Sequence, residues 1–356
     1  MKLALFISSL RSGGAERVLS NLANHWVQHG HDVHLITFAS REEIPFYPLD
    51  KKITVHSLNL FDEASSGFRR IINIINRLKV IRQTVKILAP DRILSFVDIT
   101  NITVLIATRG LNIPVIVSER TDPHFHKIPY LYQKIRFLIY RFAQFVVVQT
   151  NSAQSFFKDQ NSVKIIANAV PRPDNLKENC DPFNHIISVG RLIKTKDFEL
   201  LIKCFSNIYL DFPRITLTIY GEGPERENLE DLIRHLSLTD RVFLPGVVKN
   251  IQEKLVEADL FVFPSQYEGF PNALCEAMAV GLPVIASNCS GNVDVVQDGS
   301  NGLLFAVGDE KTLTERMRHL LDHPELRGQL GQKAAEISQT YSPEKIYTLW
   351  DEIVIK

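Results

Sequence analysis

Short β-branched or apolar runs alternate with longer amphipathic segments along the whole chain. The first half contains the runs LALFISSL, DVHLITF, RILSFVD, PVIVSE and FVVVQT, and the second half contains HIISVGRL, ITLTIYGEG, RVFLPG, DLFVFPS and PVIASN. Between them lie segments with apolar residues at helical spacing, at 16–29, 69–88, 198–212 and 225–236. Because strands and helices alternate strictly, we expect parallel sheets with helices on both faces. The fold class is therefore α/β, with Rossmann-like, doubly wound parallel sheets.

This series of strands and helices occurs twice. The residues between the two series, NAVPRPDNLKENCDPF at 168–183, are rich in proline and polar side chains and are typical of a linker. A chain of 356 residues is long enough for two ordinary domains. We expect an N-terminal domain over 1–169 and a C-terminal domain over 184–340, facing a cleft, with a last amphipathic helix over 342–356 that packs back on the first domain.

Cysteine usage and hydropathy bear on the compartment. The four cysteines lie far apart without metal-type pairing and are expected to be reduced and buried, as in a cytosolic protein. The first apolar run is too short for a signal peptide, because Arg11 and the following glycines interrupt it. No run approaches the roughly 18 apolar residues of a membrane span. We expect a cytoplasmic protein, at most peripherally associated with the inner face of the plasma membrane.

Two glycine-containing turns follow predicted strands, where doubly wound folds bind their ligands. Gly13 and Gly14 open a helix in RSGGAER and let an anion approach the backbone N–H groups, although an ordinary tight turn would look the same. This is not the GxGxxG pattern. Gly221 and Gly223 frame a second turn, with Pro224 placed to start the next helix. We expect this turn to leave space for a nucleotide base or ribose.

Two further strand ends carry charged side chains. Arg191 and Lys196 lie five residues apart beside the strand HIISV, a pattern that suits a pyrophosphate but that solvated surface cations also show. The segment EGFPNALCEAMAVGLPVIAS begins at Glu268 and starts a helix near Pro271, with Glu276 inside it. Helical side chains lean toward the N-terminus, so Glu276 can accept hydrogen bonds from a ribose diol. Alternatively, both glutamates only complement the helix dipole.

The order of these segments resembles a known enzyme family. EGFPNALCE has the E-x7-E spacing of retaining, nucleotide-sugar-dependent glycosyltransferases of the GT-B fold, in glycosyltransferase family 4. GGAERV near the N-terminus, GR….K at 190–196, GEG at 221–223 and DGSNGLLF at 298–305 resemble the other blocks of that family, in the same order. The resemblance covers essentially the whole chain.

The resemblance implies roles for individual residues. Arg191 and Lys196 would hold the donor pyrophosphate and stabilise the leaving nucleoside diphosphate without a metal. Glu276 would bind the ribose hydroxyls, and Glu268 would contact the transferred sugar, which makes Arg191, Lys196 and Glu268 the expected catalytic residues. The other implied donor-binding residues are Gly13, Gly14, Gly190, Gly221, Gly223, Gly269, Phe270, Pro271 and Asn272. The family transfers with retention, by same-face attack, so no metal, cofactor or enzyme nucleophile is expected.

The chain also departs from the pattern of the family. Asp197 follows the lysine where glycine is frequent, and Asp294 stands in a block where glutamate is frequent. Many members carry a histidine after the fourth strand of the first domain, where this chain has Arg120, with His124 and His126 as alternatives. The residues expected on the acceptor or membrane side are Arg17, Ser118, Glu119, Arg120, Asp122, Arg69, Arg70 and Arg77.

Basic residues are concentrated in the first half of the chain. Residues 1–170 contain 21 Lys and Arg against 12 Asp and Glu, a net charge of +9 within a chain of zero net charge. The segments 68–88 and 127–143 carry six and four basic residues respectively and no acidic residue, with apolar residues at helical spacing. Such helices can lie on an anionic membrane surface, bind a lipid-linked pyrophosphate, or simply be solvated on one face. We favour the membrane surface. No recognition motif supports nucleic acid.

The expected function is that of a retaining glycosyltransferase. It would move a hexose or N-acetylhexosamine from a UDP-sugar to a polyprenyl-diphosphate-linked saccharide at the membrane surface. A UDP-sugar epimerase is an alternative on the same fold, whereas a phosphorylase predicts a much longer chain. A non-catalytic nucleotide-sugar-binding module is the third possibility, but it predicts loss of the charged residues that this chain retains at Arg191, Lys196, Glu268 and Glu276.

Overall fold

The computed structural model describes residues 1–40, 43–60, 68–160, 162–177 and 184–356, without the side chains of 68–71. The described chain separates into two compact units. Unit 1 comprises Met1–Asn168 and Glu344–Lys356, and unit 2 comprises Ala169–Pro343.

Unit 1 is built on a seven-stranded sheet with the order β3-β2-β1-β4-β5-β6-β7, in which all neighbouring strands are parallel. Its strands are β1 (Lys2–Ile7), β2 (Asp32–Thr37), β3 (Thr54–Ser57), β4 (Arg92–Phe96), β5 (Val115–Ser118), β6 (Phe145–Val148) and β7 (Val163–Ile165). The central strands are continuous apolar runs because helices cover both faces of the sheet.

The helices of unit 1 include the C-terminal helix of the chain. They are α1 (Gly14–Gln28), α2 (Phe68–Leu88), α3 (Asp98–Thr108), α4 (Tyr130–Tyr140), α5 (Asn151–Phe156) and α13 (Pro343–Val354). Helix α3 packs between α2 and α4. The indole N–H of Trp26 in α1 donates to Asp351 in α13 at 2.7 Å, and the buried ring of Trp350 lies 5.9 Å from that of Phe96. The tail therefore packs on unit 1.

Unit 2 is built on a six-stranded parallel sheet with the order β10-β9-β8-β11-β12-β13. Its strands are β8 (His185–Val189), β9 (Thr216–Tyr220), β10 (Val242–Gly246), β11 (Leu260–Phe263), β12 (Val284–Ser287) and β13 (Leu303–Phe305). Its helices are α6 (Phe198–Ser206), α7 (Arg226–His235), α8 (Ile251–Glu257), α9 (Asn272–Ala279), α10 (Glu310–Asp322), α11 (Pro324–Ala334) and α12 (Ile337–Thr340). The predicted α/β class with two doubly wound parallel sheets is confirmed.

Some predicted element boundaries are wrong. The helical pattern over 198–212 continues past the end of α6 at Ser206, because Ile208 remains buried in the core although the chain there forms turns. Pro213 then excludes helix at the preceding residue. The three short strands β3, β7 and β13 have no counterpart among the predicted runs.

The remaining global expectations concern cysteines, metals and membrane spans. Cys204, Cys275 and Cys289 are buried and are not in disulfide bonds, and Cys180 lies outside the described residues. The described part of the chain contains no group of His, Cys, Asp and Glu residues suited to a metal ion. No helix within it has the length and apolar character to cross a membrane.

Candidate functional site

The predicted pyrophosphate loop follows β8 and lies between two other loops of interest. Strands β9, β8 and β11 are neighbours in a parallel sheet, so the loops after them leave the same edge. These loops contain Arg191, Lys196, Gly221, Gly223 and Glu268. The structure therefore brings three separate sequence blocks to one edge of unit 2, the edge at which open parallel sheets bind ligands.

The glycines after β9 are required by close contact between two backbones. A Cβ at Gly221, whose φ is +145°, would lie 1.8 Å from the carbonyl oxygen of Gly190, and one at Gly223 would lie 2.3 Å from that of Leu192. The N–H of Leu192 also donates to the carbonyl of Glu222 at 2.9 Å. On the side where a Cβ would point, the backbone of 190–192 therefore fills the space beside this turn. These glycines hold the loop that carries Arg191.

Lys196 and Glu268 form an ion pair between the loops after β8 and β11. Lys196 Nζ donates to Glu268 Oε1, and the two side chains are only 18% and 12% exposed. The ammonium also lies 4.8 Å from the centroid of the Phe263 ring. Arg191 lies exposed in the same loop as Lys196. Two of the three expected catalytic residues are therefore in direct contact, and the third is five residues away in the chain.

Asp197 explains a departure from the family pattern. Its φ of 53° and ψ of 40° place it in the left-handed region, between the 3₁₀ turn Lys194–Lys196 and helix α6. Glycine adopts this conformation without cost, and aspartate is among the residues that tolerate it. The carboxylate of Asp197 accepts a hydrogen bond from the Gln266 side chain at 3.3 Å, and the N–H of Gln266 donates to Thr195 at 2.8 Å. These bonds tie the loop after β11 to the one that carries Lys196.

Helix α9 begins at Asn272, close to the predicted position, and Gly281 follows it in the left-handed region at φ +83°. Phe270 and Pro271 are buried, and Glu276 is half-buried in the second turn. The backbone N–H of Asn272 donates to the carbonyl of Phe270 at 2.9 Å. This donor was expected to bind a phosphate, but it already has a partner within the chain. The half-buried carboxylate of Glu276 remains suitable for contact with a ligand.

Gly291 is a positioning residue that the sequence analysis missed. A Cβ there would lie 2.6 Å from the carbonyl oxygen of Gly269 and 2.8 Å from Cβ of Glu268. The Ser290 hydroxyl donates to the carbonyl of Glu268 at 3.3 Å. The residues after β12 thus support the segment that carries Glu268. The signal was the pair Ser290-Gly291 shortly after the end of β12, in the block where only Asp294 was considered.

In unit 1, the carboxylate of Glu16 occupies the space beside the glycine turn. A Cβ at Gly13 would lie 2.0 Å from Glu16 Oε2, and α1 begins at Gly14. Glu16 is in the first turn of α1, where a negative charge complements the helix dipole. The expected anion position is thus beside a carboxylate of the chain itself. The side chain of Arg17 is half-buried, and its backbone N–H donates to the carbonyl of Gly13 at 3.0 Å.

A buried polar network lies at the ends of β4 and β5. Glu119 is 1% exposed and accepts a hydrogen bond from the Tyr140 hydroxyl at 2.5 Å, and the buried guanidinium of Arg136 lies 3.7 Å from it. Nearby, His126 Nε2 lies 3.1 Å from a carboxylate oxygen of the buried Asp98. Arg136 is therefore unavailable to a membrane, although it was counted among the basic residues of 127–143.

The same burial shifts the protonation of this network. Burial raises the pKa of Glu119 to about 7, against the opposing charge of Arg136. Burial alone would raise the pKa of Asp98, but hydrogen bonds from His126 and from the backbone of Ile99 hold this pKa below its usual value. The hydrogen bond to Asp98 in turn raises the pKa of His126. The cationic form of His126 therefore persists to higher pH than that of an ordinary histidine.

Arg120 and His124 have partners inside unit 1. The guanidinium of Arg120 donates to Ser118 at 3.2 Å and to the side chain of Asn168, and it stacks over the ring of Phe96 at 4.7 Å. Burial lowers the pKa of Arg120 to about 9. The ring of His124 lies 3.2 Å from the Ser152 carbonyl. Of the three candidates for the acceptor-side position, only His126 is paired with a buried acid.

The basic segment 68–88 forms helix α2, but part of its charge serves the fold. Arg77 donates to the carbonyl of Leu60 at 2.9 Å. Arg82 donates to the carbonyls of Ala107 and Arg109 at 2.8 Å, at the end of α3. The side chains of Arg69 and Arg70 lie outside the described residues. The expectation that α2 contacts a membrane stays a prediction.

Comparison with known proteins gives matches over nearly the whole chain. Residues 12–172 match the family Glycosyltransferase Family 4, and residues 175–337 match Glycosyl transferases group 1. An uncharacterized glycosyltransferase of Haemophilus influenzae is 29% identical over 99% of each chain. A second relative, from Campylobacter jejuni, is 26% identical over 99% of this chain and 98% of its own. Its name is GalNAc-alpha-(1->4)-GalNAc-alpha-(1->3)-diNAcBac-PP-undecaprenol alpha-1,4-N-acetyl-D-galactosaminyltransferase.

A solved structure shows the same fold. The Anabaena protein HepE, in complex with UDP, is 20% identical to this chain and matches it with a TM-score of 0.81 over 99% of each chain. The predicted GT-B fold, with its two Rossmann-like units, is confirmed.

Proposed function

Because this chain belongs to the glycosyltransferases that carry a family 4 domain followed by a group 1 domain, we propose that it extends lipid-linked saccharides. The donor is a UDP-sugar, from which a hexose or N-acetylhexosamine is transferred with retention of anomeric configuration. The acceptor is a saccharide linked to a polyprenyl diphosphate at an anionic membrane surface. The observation that carries the proposal is the ion pair of Lys196 and Glu268, formed by the loop that also carries Arg191.

The donor assignment rests on the chemistry of this edge of unit 2. A diphosphate needs cations, and the loop after β8 carries the exposed guanidinium of Arg191 together with the ammonium groups of Lys194 and Lys196. The half-buried carboxylate of Glu276 suits the hydroxyls of a ribose. The UDP complex of HepE, a protein with the same fold, supports a uridine nucleotide as the donor.

The pairing of Lys196 with Glu268 suggests how the site accepts a donor. A diphosphate competes with Glu268 for the ammonium, and a carboxylate released in this way can accept hydrogen bonds from sugar hydroxyls. The bond between the anomeric carbon and the diphosphate oxygen then breaks while an acceptor hydroxyl attacks from the same face. The hydroxyl proton goes to the departing phosphate oxygen. Arg191 and Lys196 stabilise the negative charge of the departing nucleoside diphosphate.

The acceptor assignment rests on the relative from Campylobacter jejuni. That protein is named for transfer to an undecaprenol-diphosphate-linked saccharide, and it aligns with this chain from end to end. The low content of acidic residues in the basic half of the chain supports an anionic acceptor or surface.

A donor screen tests the proposal. The purified protein is incubated with a panel of UDP-sugars and a short polyprenyl-diphosphate saccharide, and the products are read by mass spectrometry. We expect one UDP-sugar to extend the acceptor by one residue, with an α-linkage from an α-linked donor. Conversion of a UDP-sugar without acceptor would favour an epimerase. Absence of turnover despite UDP binding would favour a non-catalytic module.

A further inference from the structure

Helix α4 has an outward stripe of large apolar side chains that the fold does not bury. Tyr130, Leu131, Leu138 and Phe142 are 72%, 66%, 58% and 43% exposed. Tyr130, Leu131 and Leu138 lie at spacings that place them on one side of α4, and Phe142 follows in the turn after the helix. Contiguous exposed apolar side chains of this kind mark interaction surfaces.

Cations surround these apolar side chains. Lys127, Lys134 and Arg141 are exposed, and no acidic residue occurs in 127–143. The Lys134 ammonium lies 4.6 Å from the centroid of the Tyr130 ring, so it stays close to the apolar stripe. We call the stripe and these cations the α4 face; it consists of Lys127, Tyr130, Leu131, Lys134, Leu138, Arg141 and Phe142.

The opposite side of α4 already provides the contacts that the fold requires. Arg136 and Tyr140 are buried and form the network with Glu119. Phe137 stacks on Phe156 with ring centroids 5.3 Å apart. The inward side of α4 thus supplies these packing contacts, and the side chains of Tyr130, Leu131 and Leu138 remain mostly exposed.

Arg109 extends the α4 face onto the end of α3. Its guanidinium carbon lies 3.4 Å from the centroid of the Phe142 ring. The backbone carbonyl of Arg109 also accepts a hydrogen bond from Arg82 of α2 at 2.8 Å. Thus two of the described cations of α2, Arg77 and Arg82, bond to carbonyls, whereas the cations of the α4 face are exposed beside apolar side chains.

We propose that the α4 face docks unit 1 on an anionic lipid bilayer. Leu131, Leu138 and Phe142 would enter the boundary between headgroups and acyl chains, with Tyr130 at headgroup level. Lys127, Lys134 and Arg141 would contact lipid phosphates. The inference deepens the proposed function, since a polyprenyl-linked acceptor is presented at such a surface, but lipid binding is measurable without any transfer reaction.

Charge complementarity selects a bilayer over a second copy of the chain. A symmetric dimer through the α4 face would bring Lys127, Lys134 and Arg141 toward their own copies. The segment offers no carboxylate to pair with them. An anionic bilayer supplies the missing negative charge and an apolar layer at the same time.

Vesicle flotation of the full chain tests the proposal. The protein is mixed with vesicles of phosphatidylglycerol and phosphatidylethanolamine, or of phosphatidylcholine alone, without donor or acceptor. One variant combines Leu131→Ser and Leu138→Ser, and another combines Lys127→Gln, Lys134→Gln and Arg141→Gln. The matched control combines Leu210→Ser and Lys311→Gln in unit 2, whose side chains are 75% and 85% exposed.

We expect wild type and control to float with the anionic vesicles, with less binding at higher ionic strength. Each α4-face variant should bind about tenfold more weakly at unchanged thermal midpoint, since the substitutions are at the surface. Wild-type binding by both variants would overturn the proposal. So would a lipid-independent dimer of the wild type that both variants disperse, because a second copy would then cover the face.

The proposed function fails separately from this inference. If the donor screen finds no transfer while the variants lose vesicle binding, docking stands and the enzymatic proposal does not. If transfer to a short-chain, water-soluble acceptor is normal in all variants and none loses vesicle binding, only the docking inference is contradicted.

Discussion

The side chain of Lys196 donates a hydrogen bond to the carboxylate of Glu268, two residues that lie 72 positions apart in the chain. One follows β8 and the other follows β11, and the Phe263 ring lies against the ammonium. The pair is partly shielded from water, so it is stronger than an exposed surface ion pair. In the proposed mechanism the donor diphosphate takes over the lysine, which makes Glu268 both a competitor for the cation and a sugar ligand.

Replacing Glu268 should separate donor binding from catalysis. In Glu268→Gln, Lys196 loses a competing carboxylate, so UDP should bind as tightly as in wild type or more tightly. The transfer rate should nevertheless fall by about 10²-fold, because the sugar contact is weakened. Calorimetry and the transfer assay measure the two effects. Glu199→Gln, which removes the exposed partner of Lys203, is the control. Loss of UDP affinity in parallel with the rate would contradict the assignment.

The role of Glu276 is testable with a ligand that lacks the ribose diol. Glu276→Ala should weaken UDP binding by about 1–3 kcal/mol, since a half-buried acceptor for two hydroxyls is lost. Wild type should bind 2′,3′-dideoxyuridine diphosphate as weakly as the variant binds UDP, and the variant should not distinguish the two ligands. Calorimetry of the four combinations measures this coupling. Glu325→Ala, in the exposed first turn of α11, should behave as wild type. If the mutation and the missing diol weakened binding independently of each other, Glu276 would not contact the ribose.

The raised pKa of Glu119 predicts a pH dependence of stability. Between about 4.5 and about 7 the folded state keeps a proton on Glu119 that the unfolded chain has lost. The folded state therefore binds more protons in this range, and the free energy of unfolding of unit 1 should fall as pH rises through it. The effect is on the order of 3 kcal/mol. Urea unfolding across this range should show the slope in wild type.

The Glu119→Gln variant isolates this contribution from that of Asp98 and His126. Glutamine preserves the acceptor for Tyr140 but cannot ionise, so the slope should flatten between the two pH values. Glu352→Gln, exposed in α13 of unit 1, should leave the slope unchanged. An equal slope in Glu119→Gln and wild type would mean that Glu119 titrates near its ordinary pKa.

The contact between the loops after β8 and β9 predicts an unequal response of two glycines. Gly221→Ala should destabilise unit 2 by about 3 kcal/mol or more, because the added Cβ meets the carbonyl oxygen of Gly190 at 1.8 Å. Gly299 also has a positive φ, at +73°, but no atom within 4 Å of the added Cβ. Gly299→Ala should therefore cost only about 1–2 kcal/mol from backbone strain. Equal costs in urea unfolding would show that the loops do not pack as described.

The sequence predicted the strands that lie in the middle of each sheet, because burial on both faces requires continuous β-branched and apolar runs. It did not predict β3 or β7, which are edge strands of unit 1. An edge strand is covered less completely, so β3 reads TVHS with its first two residues exposed. The end of α6 was missed for a related reason, since Ile208 keeps the apolar spacing while the backbone leaves the helix.

The site was predictable where spacing within one element carries the information. The positions of Glu268 before α9 and Glu276 inside it follow from the local sequence. The contact of Lys196 with Glu268, the support of Glu268 by Gly291 and the packing of Gly221 on Gly190 join residues from different strand ends. Such contacts depend on strand order, which local spacing does not encode. The burial of Arg136 and the bonds of Arg82 likewise depend on neighbouring helices.

The central claim is that the loop after β8 binds the diphosphate of the donor through Lys196. Isothermal titration calorimetry of UDP with wild type and Lys196→Ala tests it directly, with Lys203→Ala as the control for loss of an exposed lysine. We predict that Lys196→Ala weakens UDP binding by about 1.5–3 kcal/mol, a factor of roughly ten to a hundred. UDP affinity equal to that of wild type would contradict the account.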